Sequence, residues 1–261
     1  MEYRSMILTK EDSIAIIQMN HPEAMNALEE ELAAELLSAY KDVAEDPEIG
    51  AVILTGAGKA FCAGGDLKLL SRGFETAEAG YDYMKSFREM VTLFMNMPKP
   101  TIAAVNGFAV GAGFCIAMQA DLILASDQAK FGMAFANVGL IPDLAGMYTL
   151  PRLVGLHRAK ELVFTGRTIS ASEAEEMGIV NRVISHDELL AEAKKLAVKL
   201  AAGPRVALRM AKNVMNDSVN MTLEQLLDLE PHAQAICFQS EDHKIGVKAF
   251  FDKEKPVFKG K

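Results

Sequence analysis

The chain has 261 residues, enough for one large domain or a domain with an appendage, and half of them are hydrophobic against 24% charged, the balance of a folded globular chain rather than of disorder. A formal net charge of −8 with no basic block disfavours a nucleic-acid or anionic-membrane partner. Cys62, Cys115 and Cys237 are odd in number and far apart, matching neither a disulfide framework nor a metal-ligand pattern, so a reducing, cytoplasmic location is expected.

The opening MEYRSMILTKED lacks the apolar core of a signal peptide. Short apolar, β-branched runs follow at Ile14–Met19, Ala51–Thr55, Thr101–Val105 and Leu122–Ala125, and these predict buried strands. A strand pair at the start suggests a hairpin. Between the strands, Leu28, Leu32, Leu36, Ala39 and Val43 keep helical spacing, as do Phe87, Met90, Val91 and Phe94 within Tyr83–Met95. The longest apolar or glycine run, Gly107–Met118, is too short to span a bilayer. Capping boxes are predicted at Ser170 with Glu173 and at Thr222 with Gln225.

From about Asp187 the strand-like runs cease. Helices are expected over Leu189–Leu200, Pro204–Met215, Thr222–Phe238 and His243–Phe251, with Gly203 closing one helix and Pro204 in the first turn of the next. The fold class is α/β, with residues 1–200 as the core and 201–261 as a helical region.

Two glycine-rich stretches lie where a strand ends and a helix could begin: Thr55–Asp66 and Asn106–Phe114. A phosphate-binding loop needs glycine where Ile53 stands and Ser or Thr where Ala60 stands, and neither Gly56-Ala-Gly58 nor Gly111-Ala-Gly113 completes a dinucleotide fingerprint. Such turns still expose main-chain N–H groups, and a helix starting at Gly111–Gly113 would aim its positive end into the same space. Tight packing of the glycines is the plainer alternative.

Taken together, His21–Leu28, Lys59–Leu67, Pro100–Gly107 with Gly111–Gly113, Ala120–Leu122, Gly139–Asp143, Leu150–Gly155, Thr165–Arg167 and Ala249–Lys253 resemble the enoyl-CoA hydratase/isomerase (crotonase) superfamily almost end to end. The resemblance implies a spiral of ββα units with a C-terminal helical trimerisation region, a homotrimer or dimer of trimers, and a CoA thioester substrate with no further cofactor. It implies that the N–H groups of Gly65 and Ala112 hold the thioester oxygen; the second position is usually glycine, and alanine keeps the N–H while its methyl narrows the site. It further implies CoA contacts at Ala24, Lys59, Ala63, Gly64, Asp66, Leu67 and Lys68, and at Phe250 and Lys253, often toward a neighbouring subunit. For each lysine the alternative is a solvated surface cation.

The two glutamates of ordinary hydratases in that family correspond here to Cys115 and Phe135, neither of which can replace a carboxylate. Buried free cysteine generally behaves as a small hydrophobe. One acid remains: Asp143 matches the catalytic aspartate of several isomerases, and Phe131–Asp143 resembles the ring-1,2-epoxyphenylacetyl-CoA isomerases. An N-cap for a helix over Leu144–Leu150 is its other reading. Met133, Phe135, Val138 and Met147 are expected to wall this carboxylate and raise its pKa. The expected activity is an enoyl-CoA double-bond isomerase. An enoyl-CoA hydratase and a non-catalytic acyl-CoA-binding protein are the alternatives. A dehalogenase fits poorly, because the chain has no Trp and no His between His21 and His157.

Overall fold

Asp12 and Ser13 both take left-handed backbone angles (φ 49° and 61°), the two-residue turn that suits strand twist. They join β1 (Met6–Glu11) to β2 (Ile14–Met19) as the expected antiparallel hairpin. The computed structural model describes residues 3–261. The later strands are β3 (Ala51–Gly56), β4 (Ala60–Cys62), β5 (Thr101–Val105), β6 (Phe108–Val110), β7 (Leu122–Ser126), β8 (Lys130–Gly132), β9 (Thr168–Ser170) and β10 (Arg182–Ile184). The helices are α1 (Glu30–Glu45), α2 (Leu67–Arg72), α3 (Ala77–Ser86), α4 (Arg88–Met95), α5 (Ala112–Ala117), α6 (Gly146–Val154), α7 (Leu156–Thr165), α8 (Ala171–Glu176), α9 (Leu189–Ala201), α10 (Arg205–Ser218), α11 (Leu223–Gln239) and α12 (Glu241–Asp252).

The strands divide into a six-stranded sheet, β1-β2-β3-β5-β7-β10, and a four-stranded one, β4-β6-β8-β9. Each turn of chain lays one strand in the first sheet and the next in the second: β3 then β4, β5 then β6, β7 then β8. Pairing along β2, β3, β5 and β7 is parallel, as is pairing along β4, β6 and β8. This is the spiral of ββα units that the resemblance implies.

Residue alternation explains why the large sheet reads as unbroken apolar runs. Ile14, Ile16, Ile53, Ile102, Ala104 and Leu124 face α9, meeting Leu189, Ala193, Ala197 and Ala201. Their neighbours Ala15, Ile17, Val52, Leu54, Ala103 and Val105 face the main core with α1 and α4, where Tyr40 stacks on Phe94 at 4.6 Å. Both faces are buried, as parallel sheets require.

Beyond α9, the buried Lys212 ties α10 to the sheet. Its Nζ donates to Asp121 Oδ2 (2.8 Å) and to the Lys99 carbonyl (3.2 Å), and the same carboxylate oxygen accepts from the N–H and hydroxyl of Thr101.

Several expectations need correction. The helix predicted over Tyr83–Met95 is two, broken at Phe87. Thr222 and Gln225 form a full capping box. Ser170 caps α8, but the Glu173 carboxylate is held by Arg167 at 2.7 Å instead of reaching back. Pro204 is the N-cap of α10, one residue before its first turn.

Two asparagines fasten the chain around the first glycine-rich turn. Asn26, fully buried, donates from Nδ2 to the carbonyls of Ala57 (3.0 Å) and Ala60 (2.8 Å), and its Oδ1 accepts the His21 N–H. Asn106 accepts the Gly56 N–H and donates to the Gly58 carbonyl at 3.0 Å. Asn26→Ala removes three hydrogen bonds to buried and part-buried main-chain groups, with Asn106 still donating to the Ala60 carbonyl, and is expected to destabilise the fold by roughly 2–4 kcal/mol. A urea midpoint unchanged from the parent protein would contradict this.

Candidate active site

Two glycine-rich turns meet back to back at the ends of β4 and β6. After Cys62 the chain runs through Ala63, Gly64 and Gly65 to Asp66, whose carboxylate accepts the Lys68 N–H at 2.8 Å and starts α2. After Val110, Gly111 caps α5. A methyl on Gly113 would sit 1.9 Å from the Cys62 carbonyl oxygen, so only glycine lets the start of α5 press onto β4. Gly64 has φ 115°, and a methyl there would lie 3.0 Å from the Val110 carbonyl oxygen and 3.9 Å from Ala112 N.

Gly65 and Ala112 therefore flank one space, and both line a cavity of about 640 Å³. Among the described residues neither N–H donates to another group. At Ala112 the reason is geometric, since the first residue of a helix has no intrahelical carbonyl to reach.

Asp143 lines the same cavity, and it is the wall's one charged side chain among the described residues. It is not an N-cap. Leu144 and Ala145 take left-handed angles (φ 43° and 66°), a strained arrangement for non-glycine residues, and α6 starts only at Gly146 with Ala145 as its cap. The expected helix over Leu144–Leu150 thus begins two residues late. Asp143 Oδ1 is fully buried and no protein group donates to it. Burial pushes the carboxyl up to about 6, against a smaller opposing effect of its own main-chain N–H.

The wall around this carboxylate is mostly apolar, and Phe135 and Val138 belong to it as expected. Met133 and Met147 do not. Met133 is fully buried behind the wall, its Sδ 4.0 Å from Cys115 Sγ, and Met147 is 55% exposed on α6. Cys115 is itself fully buried. Burial pushes its thiol well above the ordinary range, with the Asp143 charge adding to the effect, so it stays protonated and inert. Its sulfur fills the space beside Gly146, where a methyl would approach it to 2.4 Å.

Of the other expected contacts, Ala63, Gly64 and Leu67 line the cavity, whereas Ala24, Lys59, Asp66 and Lys68 do not. Ala24 lies next to Met25, whose carbonyl accepts the Ala63 N–H at 3.0 Å. The Asp66 carboxylate is committed to capping α2, and Lys59 and Lys68 are exposed cations. Phe250 is 80% exposed and, with Phe251 and Phe258, lines a separate cavity of about 610 Å³ between the C-terminal helices. Lys253 follows α12. Within one chain neither reaches the first cavity.

Sequence reasoning missed Leu70, Phe74, Tyr83 and Phe87, which close the cavity from α2 to α4. The i, i+4 spacing of Tyr83 and Phe87 was the available signal, and it reads equally well as a core-facing stripe. Among the described residues no group of three or more His, Cys, Asp or Glu side chains could hold a metal ion.

Comparison with known proteins agrees with this arrangement. The model of the enoyl-CoA hydratase/isomerase family matches residues 9–261. The chain is 38% identical over 261 residues to the crotonyl-CoA hydratase of Syntrophomonas wolfei, covering 99% of each chain. It is 37% identical over 253 residues to the 1,2-epoxyphenylacetyl-CoA isomerase of Escherichia coli, covering 96% of this chain and 97% of that one. The crystal structure of an enoyl-CoA hydratase from Bacillus anthracis superposes with a TM-score of 0.93 at 33% identity, covering 99% of this chain and all of the other. With two converging glycine-rich turns, a cavity fit for an acyl group and relatives along its whole length, this chain belongs to the enoyl-CoA hydratase/isomerase family of acyl-CoA enzymes.

Proposed function

We propose that this enzyme shifts the double bond of an enoyl-CoA by a 1,3-proton transfer through Asp143. The observation that carries the reading is the lone carboxylate on the wall of the cavity that also holds two unused main-chain N–H groups. In a 3-enoyl-CoA the carboxylate removes a proton from the carbon next to the thioester carbonyl. The electron pair moves onto the thioester oxygen as a dienolate, and the Gly65 and Ala112 N–H groups donate to that oxygen. Donors placed where such charge develops lower a barrier by about 3–4 kcal/mol each in comparable sites. The protonated Asp143 then returns the hydrogen to the γ carbon, leaving a 2-enoyl-CoA. No water, oxidant or cofactor beyond the CoA of the substrate enters the balance.

A hydratase is the second reading, favoured by the name of the Syntrophomonas wolfei relative. It requires water activation and proton delivery by Asp143 alone, since Cys115 and Phe135 occupy the positions of the two glutamates. The exposed Phe238, Phe250, Phe251 and Val257 support a homotrimer or a dimer of trimers, in which Phe250 and Lys253 of one copy reach the nucleotide of a neighbour's substrate. A cytoplasmic location remains part of the same reading; among the described residues no helix is long and apolar enough to cross a membrane.

Incubation with 3-enoyl-CoA and with 2-enoyl-CoA in heavy water, followed by mass, tests the reaction. A moved double bond or deuterium exchange without added water is the expected result; gain of one water by the 2-enoyl-CoA supports the hydratase, and neither change leaves a binding protein. Asp143→Asn is expected to abolish the shift while affinity for the CoA ester stays within a few fold, and retained turnover removes Asp143 from the mechanism.

Because the base must be ionised, kcat/KM is expected to rise with pH and level off above about 6, the value to which burial pushes Asp143. An acid limb near pH 4 would mean that the active carboxylate is not desolvated.

The same carboxyl makes a stability prediction. Its folded pKa lies above the unfolded value of 3.8, so the folded state binds more protons between roughly pH 4 and 6, and stability falls as pH rises through that window. Asp143→Asn is therefore expected to raise Tm by several degrees at neutral pH and to leave it unchanged below about pH 4. A helix cap would show no such gain, because Asn caps as well as Asp.

A further inference from the structure

Tyr83 is the one hydroxyl-bearing side chain on the cavity wall among the described residues. It projects from α3, a helix with no buried residue of its own, yet its ring is held on two sides. Phe74 lies 5.1 Å away in a tilted contact and Phe87 5.1 Å away edge-on. Such contacts fix an aromatic ring and so pre-aim its hydroxyl. Among the described residues that hydroxyl makes no hydrogen bond; the Tyr83 main-chain carbonyl accepts from the Ser86 hydroxyl.

The charges of three carboxylates on different elements act on the phenol: Glu30 on α1, Asp143, and Asp66 at the cap of α2. Burial and these charges all disfavour the phenolate. Tyr83 is therefore a fixed, protonated donor on a wall whose other polar side chains, among the described residues, are Asn137 and Asp143. It does not spend that donor on Asp143, whose Oδ1 has no protein partner. A purely hydrocarbon acyl group would desolvate this hydroxyl and give it nothing to donate to, which penalises binding. An acyl group with an oxygen at that place removes the penalty.

We propose that Tyr83 is a specificity-determining residue that donates a hydrogen bond to an oxygen of the acyl group beyond the thioester, and that the preferred substrates are acyl-CoA thioesters carrying a hydroxyl, carbonyl or ether oxygen there. The proposal rests on the reading of this cavity as the acyl site. It assigns Tyr83 no part in the proton transfer.

The test compares the parent enzyme with Tyr83→Phe, which keeps the ring and removes only the hydroxyl. Two 3-enoyl-CoA thioesters of matched carbon skeleton serve as substrates, one with a hydroxyl on the acyl group and one without. The ratio of their kcat/KM values, oxygenated over plain, is expected to fall roughly 10- to 100-fold in the variant. An unchanged ratio overturns the proposal. If the acid limb of the pH profile also moves upward, the hydroxyl serves Asp143 in the complex instead of the substrate.

Calorimetric binding of the saturated, unreactive counterparts supplies a second ratio that needs no turnover. A parent enzyme that shifts neither double bond defeats the isomerase reading alone; the Kd ratio of the saturated pair, parent against variant, still decides for or against Tyr83.

Discussion

A carboxylate withheld from water, in one cavity with two unspent peptide N–H groups, is the combination that the rest of the molecule has to maintain. Carboxylates at helix starts ordinarily satisfy themselves on the first free N–H groups, and Asp143 is placed where that should happen. The left-handed pair Leu144 and Ala145 prevents it by carrying the chain past the point where a helix would begin, so that α6 opens at Gly146. Backbone strain in the two residues after the acid thus accompanies an unpartnered Oδ1, and burial rather than a neighbouring charge sets its proton affinity. Sites of this kind store strain that the surrounding structure must hold in place.

The opposing N–H groups are held by packing of main chain on main chain. Gly113 presses α5 onto the Cys62 carbonyl, and Asn26 and Asn106 together bind the carbonyls of Ala57, Gly58 and Ala60. Both turns follow strands of the smaller sheet, β4 and β6, which pair directly across an irregularity between Ala60 and Cys62, so their ends lie side by side before any side chain is considered. A backbone donor depends on the fold around it and not on its own side chain. That is why alanine at position 112 can present the same N–H as the usual glycine, and why the sensitive positions are the clamps and Gly113.

Legibility in the sequence followed burial and length. β2, β3, β5 and β7 were readable because both their faces are covered and each runs for five or six residues. The strands of the second sheet span three residues each, too few to carry a period. The glycine-rich turns announced themselves, and the resemblance, rather than any local pattern, singled out Asp143. Its release from a capping role was not legible, because nothing in Leu144 or Ala145 favours a left-handed backbone. The cavity side of α3 and α4 was hidden for another reason: an aromatic stripe looks alike whether it faces a core or a substrate, and only the tertiary arrangement separates Tyr83 and Phe87 from Met90 and Phe94.

Under the isomerase reading, the two departures from the family's hydratase pattern and the pKa of Asp143 belong together. A second carboxylate in the same apolar cavity would repel the first, and their titrations would couple, with one held protonated at neutral pH. With Cys115 neutral in the core and Phe135 on the wall, Asp143 titrates alone near 6, ionised at neutral pH yet basic enough to accept a carbon-bound proton. Phe135 adds to the cavity surface that water wets poorly, whereas Cys115 is fully buried and does not line it. Hydration needs an ordered water beside the alkene and a polar group to hold it, whereas a 1,3-shift needs water kept away from the dienolate and from the proton in transit. On that reading, an apolar Phe135 beside a lone Asp143 weakens one chemistry and favours the other by a single physical feature, the scarcity of polar surface around the base.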